Sequence, residues 1–172
     1  MKFNELFPPR LYLDLDGVLA NFDSAFSRYD NDINKLAAAK PKEIYDFYYR
    51  LPMLADGERL LAYLKVRGLQ FTILSSPLRP HDGDHRGTIQ SELAKRDWVK
   101  RQLGPNTAKE AIIKKDKYHW ATNHGTPNIL IDDMTRNTVP WQQHGGIPIL
   151  HRNYSDTVAS LDEIISRLSK NT

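Results

Sequence analysis

The chain has 172 residues and a mass of 19.8 kDa, with 40% hydrophobic and 26% charged residues, which suits one globular domain with a small insert and excludes a disordered chain. It has no cysteine, so disulfides, thiolate metal sites and cysteine nucleophiles are ruled out. No apolar run approaches the ~20 residues of a membrane span, the start does not read as a secretory leader, and the net charge of +3 is too small to demand nucleic acid; the expectation is a cytoplasmic protein.

Residues 11–15, entered from Pro8-Pro9 and closed by Asp16-Gly17, form a short apolar run that predicts a buried strand. Residues 18–50 read as helical but broken, with Asp30-Asn31-Asp32 and Pro41 as interruptions. Asp56 is placed to cap a helix reaching Arg67, with Leu60, Leu61 and Leu64 inward and Gly68 as its stop. Residues 70–74 predict a second strand that ends at Ser75-Ser76-Pro77. A polar loop then leads to an amphipathic helix over 88–103, ended by Gly104-Pro105. Residues 111–113 predict a third strand, 116–124 a helix stopped by Gly125, and 128–131 a fourth strand that ends in Asp132-Asp133. A strand over 147–150 and a helix over 155–168, with Leu161, Ile164, Ile165 and Leu168 on one face, close the chain.

Apolar strands alternating with helices predict a doubly wound α/β fold with a parallel sheet of about five strands. Ligands of such sheets bind outside the carboxyl ends of the strands. There the sequence places Asp14 and Asp16, Ser75 and Ser76, and Asp132 and Asp133. Asp14 and Asp16, two apart in an extended segment, send their side chains to one side. A concentration of hard carboxylate oxygens of this kind suits Mg²⁺ with a substrate phosphate. The basic residues Lys95, Arg96, Lys100, Arg101, Lys109, Lys114, Lys115 and Lys117 read as a solvated helix face and a basic loop. His81-Asp82-Gly83-Asp84-His85 reads as a polar loop flanked by Arg79 and Arg86, which are candidates for the phosphate edge, and Thr135, Arg136 and Asn137 turn into a helix, with one of them a candidate to touch the site.

Asp14-Leu15-Asp16-Gly17-Val18-Leu19 resembles the first motif of the haloacid dehalogenase-like phosphatases. The strand ending in Ser75-Ser76 looks like their second motif, Ile129-Leu130-Ile131-Asp132-Asp133 looks like the fourth, and an upstream lysine supplies the third. Within that superfamily, residues 14–22, Ser75-Ser76-Pro77 and the following Lys-x-x-Trp-Val are similar to the 5'(3')-deoxyribonucleotidases. The resemblance implies a Rossmann-like three-layer core over 1–20 and 54–172 and a small helical cap insert over 21–53. It implies Asp14 as nucleophile and Asp16 as general acid and base. Asp14, the carbonyl of Asp16, and Asp133 or Asp132 would hold Mg²⁺. Ser75 and Ser76 would bind phosphate, helped by Lys117 or its rival Lys95, with Lys114 and Lys115 nearby. Phe22 matches a position that packs on the base, with Phe47, Tyr48 and Tyr49 as further candidates. The implied activity is dephosphorylation of deoxyribonucleoside monophosphates through an aspartyl-phosphate. The alternatives are other small phosphate esters, nucleic-acid ends, or a binding module without turnover.

Overall fold

The computed structural model describes residues 8–170. Five short apolar strands, β1 (Leu11–Leu13), β2 (Thr72–Ser75), β3 (Ile112–Ile113), β6 (Ile129–Asp132) and β7 (Ile147–Leu150), pair in the order β3-β2-β1-β6-β7. Every neighbouring pair is parallel. Two further strands, β4 (Thr122–Asn123) and β5 (Thr126–Pro127), form a separate antiparallel hairpin.

Alternation along each strand divides the sheet into two faces. Leu11, Leu13, Ile73, Ile129 and Ile131 join the larger core, with Leu60 and Leu64 of α4 (Ala55–Val66), Ala94, Trp98 and Val99 of α5 (Arg86–Leu103), and Leu161 and Ile164 of α8 (Tyr154–Lys170). Tyr12, Leu74 and Leu130 point the other way and pack with Ala121 and with Trp141 of α7 (Thr135–Gln143). The result is the expected α/β, Rossmann-like sandwich of three layers. Gly146 belongs to the second core by its lack of a side chain, because a Cβ there would stand 2.2 Å from Trp141 Nε1.

From the central β1 the chain moves outward through β2 to β3, then returns to the other side of β1 as β6 and continues to β7. The direction of winding reverses between β1 and β6, and a crevice opens at the carboxyl ends of such a pair. Asp14 leaves β1 there, with its N–H still bonded to the Ile131 carbonyl at 3.0 Å, and Asp132 and Asp133 leave β6 beside it. At the outer edge, the Ile147 and His151 N–H groups bond inward to β6. Alternation turns Pro148 and Leu150 outward, and proline has no N–H to present.

The insert over 21–53 contains α1 (Phe22–Phe26), a 3₁₀ turn (Ser27–Tyr29), α2 (Ile33–Ala37) and α3 (Pro41–Tyr49). The α3 end of the insert is fastened to α5. Tyr45 Oη donates to Asp97 at 2.7 Å, Trp98 Nε1 donates to the Leu51 carbonyl at 2.8 Å, and Arg101 donates to the Tyr49 carbonyl at 2.5 Å. Residues 1–7 and 171–172, which the expected core segments include, lie outside the described residues.

Four local expectations need correction. Residues 116–124 form one 3₁₀ turn (Lys117–Trp120) and the first strand of the β4–β5 hairpin, because Asp116 (φ 55°) and His124 (φ 48°) adopt left-handed backbone that an α-helix does not hold. Asp56 lies inside α4 and does not cap it; its carboxylate accepts the Tyr154 N–H at 2.8 Å. Pro41 does not simply interrupt but opens a helix, α3, because a first-turn proline loses no helical hydrogen bond; Gly104-Pro105 ends α5 as expected, and Pro105 also opens α6 (Pro105–Glu110). Finally, β1 stops at Leu13, so Asp14 and Asp16 are not successive same-face residues of one strand; the carbonyl of Leu15 instead gathers the N–H groups of Val18, Leu19 and Ala20 in a tight turn.

No helix among the described residues is long and apolar enough to cross a membrane.

Candidate active site

The tight turn after β1 depends on Gly17. Its φ of 76° is left-handed, and a Cβ there would lie 2.2 Å from Asp133 Oδ2. The missing side chain lets the first acidic loop close against the second. One carboxylate oxygen from each of Asp14, Asp132 and Asp133 lies within 4.8 Å of the others.

Two buried lysines hold this charge. Lys117, 2% exposed, places Nζ 2.6 Å from Asp132 Oδ2 and 2.9 Å from Asp14 Oδ1. Lys95, 3% exposed, donates to Asp16 Oδ2 at 2.6 Å, to the Ser76 carbonyl at 2.7 Å and to Ser75 Oγ at 3.1 Å. Both competing lysines therefore reach the sheet edge, each with its own aspartate. The reading of Lys95 and Lys117 as solvated is overturned. So is that of Arg96, which donates to the Ala108 and Ala111 carbonyls at 2.8 and 3.0 Å. Lys114 and Lys115 stay exposed, with Lys114 3.6 Å from Glu92.

The four aspartates differ in what they have left to offer. Asp132 is saturated: Oδ1 accepts from the Met134 N–H and Asn137 Nδ2, and Oδ2 from Lys117 and the same Asn137 nitrogen, at 2.6–3.0 Å. Asp14 Oδ1 accepts from the Leu15 N–H at 2.8 Å and from Lys117. Asp16 Oδ1 and Asp133 Oδ1 are shielded from solvent and have no hydrogen-bond partner. A buried carboxylate oxygen without a partner is costly, and a cation or a proton would satisfy it.

The electrostatics follow. Burial works to raise the Asp14 pKa, but Lys117, Lys95 and the Ser75 hydroxyl outweigh it and hold it below the usual value. Burial raises Asp16 despite the pull of Lys95, and raises Asp132, with Asp14 adding to the shift. Asp133 has no lysine of its own; burial and the charges of Asp14 and Asp132 push it up to about 7. Lys117 loses stability of its charge through burial, yet Asp14 and Asp132 more than restore it, so its pKa is raised.

Ser75 is buried at the end of β2, whereas Ser76 is half-buried and contributes its carbonyl to Lys95. Phe22 is half-buried at the start of α1, in an aromatic cluster with Phe26 (4.7 Å between centroids), Phe47 (5.3 Å) and Tyr48 (6.1 Å). Tyr48 carries that cluster to the site, because Lys95 Nζ stands 4.9 Å over its ring. Tyr49 stacks on Tyr45 at 5.6 Å, away from this group. The loop over 81–85 stays apart as well: Asp84 pairs with Arg86 at 2.7 Å, and Arg79 donates to Asn34 of the insert at 2.6 Å.

The sequence named Asn137 as one of three residues that could touch the site and Tyr48 as a candidate to pack on the base, but not their contacts with Asp132 and Lys95. Asn137 follows Asp132 by five residues across a helix start, a spacing that could have marked it as a clamp on that carboxylate. No protein-family model matches the chain, and no curated protein matches it as a relative.

Proposed function

We propose that the chain is a Mg²⁺-dependent phosphomonoesterase of the haloacid dehalogenase-like kind, acting on deoxyribonucleoside monophosphates in the cytoplasm. One observation carries this reading: Asp14, Asp132 and Asp133 converge within 4.8 Å at the sheet's switch point, with Asp133 Oδ1 buried and unpartnered.

The donor set fits a hard cation. Asp14, the Asp16 carbonyl and Asp133 would hold it, while Asp132, its oxygens already taken, braces Lys117 and Asn137. When bound, the ion offsets the repulsion between an anionic nucleophile and an anionic phosphate. Lys117 and the Leu15 N–H both engage Asp14 Oδ1, which would leave Oδ2 to attack phosphorus. Its attack forms the aspartyl-phosphate as the bond to the nucleoside oxygen breaks. Protonated Asp16 gives its proton to that leaving oxygen, then as carboxylate takes one from the water that hydrolyses the intermediate. The lowered pKa of Asp14 and the raised one of Asp16 suit a nucleophile beside an acid. The hydroxyls of Ser75 and Ser76 would donate to phosphate oxygens. The aromatic cluster around Phe22 favours a base over a plain sugar.

Phosphate release from nucleoside monophosphates, sugar phosphates and end-phosphorylated oligonucleotides, with and without Mg²⁺, tests the reading. Release should need Mg²⁺ and be abolished in Asp14→Asn. Equal inactivity of wild type and Asp14→Asn across the panel would refute catalysis, and a preference for oligonucleotide ends that falls steeply with salt would replace the substrate.

A further inference from the structure

The crevice has two banks. On one, Tyr48 ends the insert's aromatic cluster, with its ring over Lys95 at 4.9 Å, and Lys95 in turn holds Asp16 at 2.6 Å. On the other, the start of α7 is drawn onto the site by Asp132, whose Oδ1 accepts the Met134 N–H at 2.9 Å and Asn137 Nδ2 at 3.0 Å. Arg136 stands between those two anchors.

Each bank presents a donor without an acceptor. Tyr48 is 3% exposed, and its hydroxyl has no hydrogen-bond partner among the described residues. Unlike Asp16 Oδ1 and Asp133 Oδ1, that hydroxyl is not closed off from solvent. Arg136 is exposed, and among the described residues it forms no ion pair or hydrogen bond. Its charge nonetheless reaches the Tyr48 hydroxyl, where it opposes the upward push of burial and of Asp16 on that pKa. Asp16 itself is already paired with Lys95. A phenol O–H and a guanidinium together offer donors and a positive charge, which suits an anionic oxygen. The reacting phosphate has its own partners in Ser75, Ser76 and the ion, so these two donors are left for a second group.

We propose that Tyr48 Oη and Arg136 form a second anion subsite, which takes a phosphate on the 3' oxygen of a nucleotide whose 5'-phosphate is hydrolysed. The inference rests on the phosphatase reading above and narrows its substrate to nucleotides with phosphate on both oxygens. A 5'-phosphate at the strand ends and a base laid against the Phe22 cluster fix two corners of the nucleotide, and the 3' oxygen is the third. The reaction is unaltered. The P–O bond to the 5' oxygen breaks, water's oxygen ends on the released phosphate and one of its protons on the 5' oxygen, and the 3'-phosphate stays with the nucleoside. That second phosphate is either terminal, as in a 3',5'-bisphosphate, or the next link of a strand.

Initial rates with Mg²⁺ on a deoxyribonucleoside 5'-monophosphate, its 3',5'-bisphosphate and a 5'-phosphorylated dinucleotide of the same base test the subsite. In the wild type, kcat/KM for the bisphosphate or the dinucleotide should exceed that for the monophosphate about 10-fold, through KM, the lower end of what a hydrogen bond to a charged group contributes. The larger of the two ratios names the source of the phosphate. Arg136 is exposed and Tyr48→Phe keeps the ring, so both variants should fold. Arg136→Gln should bring the ratio to about 1, and Tyr48→Phe, which loses only the hydroxyl, to about 3. The wild-type preference should also shrink as salt is raised to about 0.5 M, because the guanidinium is open to screening. No preference in the wild type, a ratio unchanged in either variant, or equal losses on all three substrates in Arg136→Gln would overturn the subsite. A wild type that releases phosphate from none of the three removes the phosphatase reading and this inference together. One that treats all three alike removes the inference alone.

Discussion

Lys117 Nζ and Asp132 Oδ2 meet at 2.6 Å with neither side chain open to solvent. Such a pair is weak evidence for net stability, since desolvation offsets much of the attraction, but breaking it leaves a buried charge alone.

Removing one partner should therefore be severe. Lys117→Met should cost about 3–5 kcal/mol, read as a fall of roughly 10 °C in Tm, with part of it regained when Asp132→Asn is added. A Tm within a degree of wild type for the single variant would show that the pair contributes little to holding the edge together.

The protein should respond to pH through Asp133. Its folded pKa of about 7 lies above the ordinary 3.8, so the folded state binds the proton more tightly. By linkage its contribution favours folding at low pH and is lost as pH climbs from about 4 through 7. Asp16 and Asp132 are shifted in the same direction. In the absence of Mg²⁺, Tm should fall between pH 5 and pH 8, less so in Asp133→Asn. Mg²⁺, which competes with that proton, should raise Tm by about 3 °C more at pH 8 than at pH 5. An equal rise at both would remove Asp133 from the ion's ligands.

Gly17 cannot carry a side chain where it stands. Gly17→Ala combines a left-handed φ with a Cβ 2.2 Å from Asp133 Oδ2, so the two acidic loops must part. The expected result is an Mg²⁺ requirement at least 10-fold higher, a factor worth about 1.4 kcal/mol, with a folded circular dichroism spectrum. An unchanged Mg²⁺ titration would mean that the loops need not touch.

Phe22 packs in the insert's aromatic cluster, so Phe22→Ala should cost roughly 2 kcal/mol from the lost packing alone. Base stacking predicts more: KM for a deoxyribonucleoside monophosphate should rise about 10-fold, in line with the 1–3 kcal/mol of an aromatic–base contact, while KM for a baseless sugar phosphate stays put. Equal changes for both substrates would leave Phe22 a packing residue.

Much of the fold was legible because its strands are short apolar runs closed by polar residues, as at Leu13-Asp14, Leu74-Ser75 and Ile131-Asp132. That pattern states both the parallel sheet and the edge on which chemistry gathers. The segment over 116–124 was not legible, because its helical spacing carried no sign that Asp116 and His124 would turn left-handed. The inward placement of Lys95 was hidden for a different reason. A lysine on an amphipathic helix is buried only if distant groups satisfy it, and Asp16 lies 79 residues away. Local patterning describes how a helix meets water; it does not describe a partner supplied by another part of the chain.

Pro148 deprives the outer margin of β7 of one donor and leaves the Leu150 amide as the next one facing out. A neighbouring molecule laid alongside would find one rung of the ladder missing. Copies of this chain thus meet a weakened template for joining sheet to sheet at this edge.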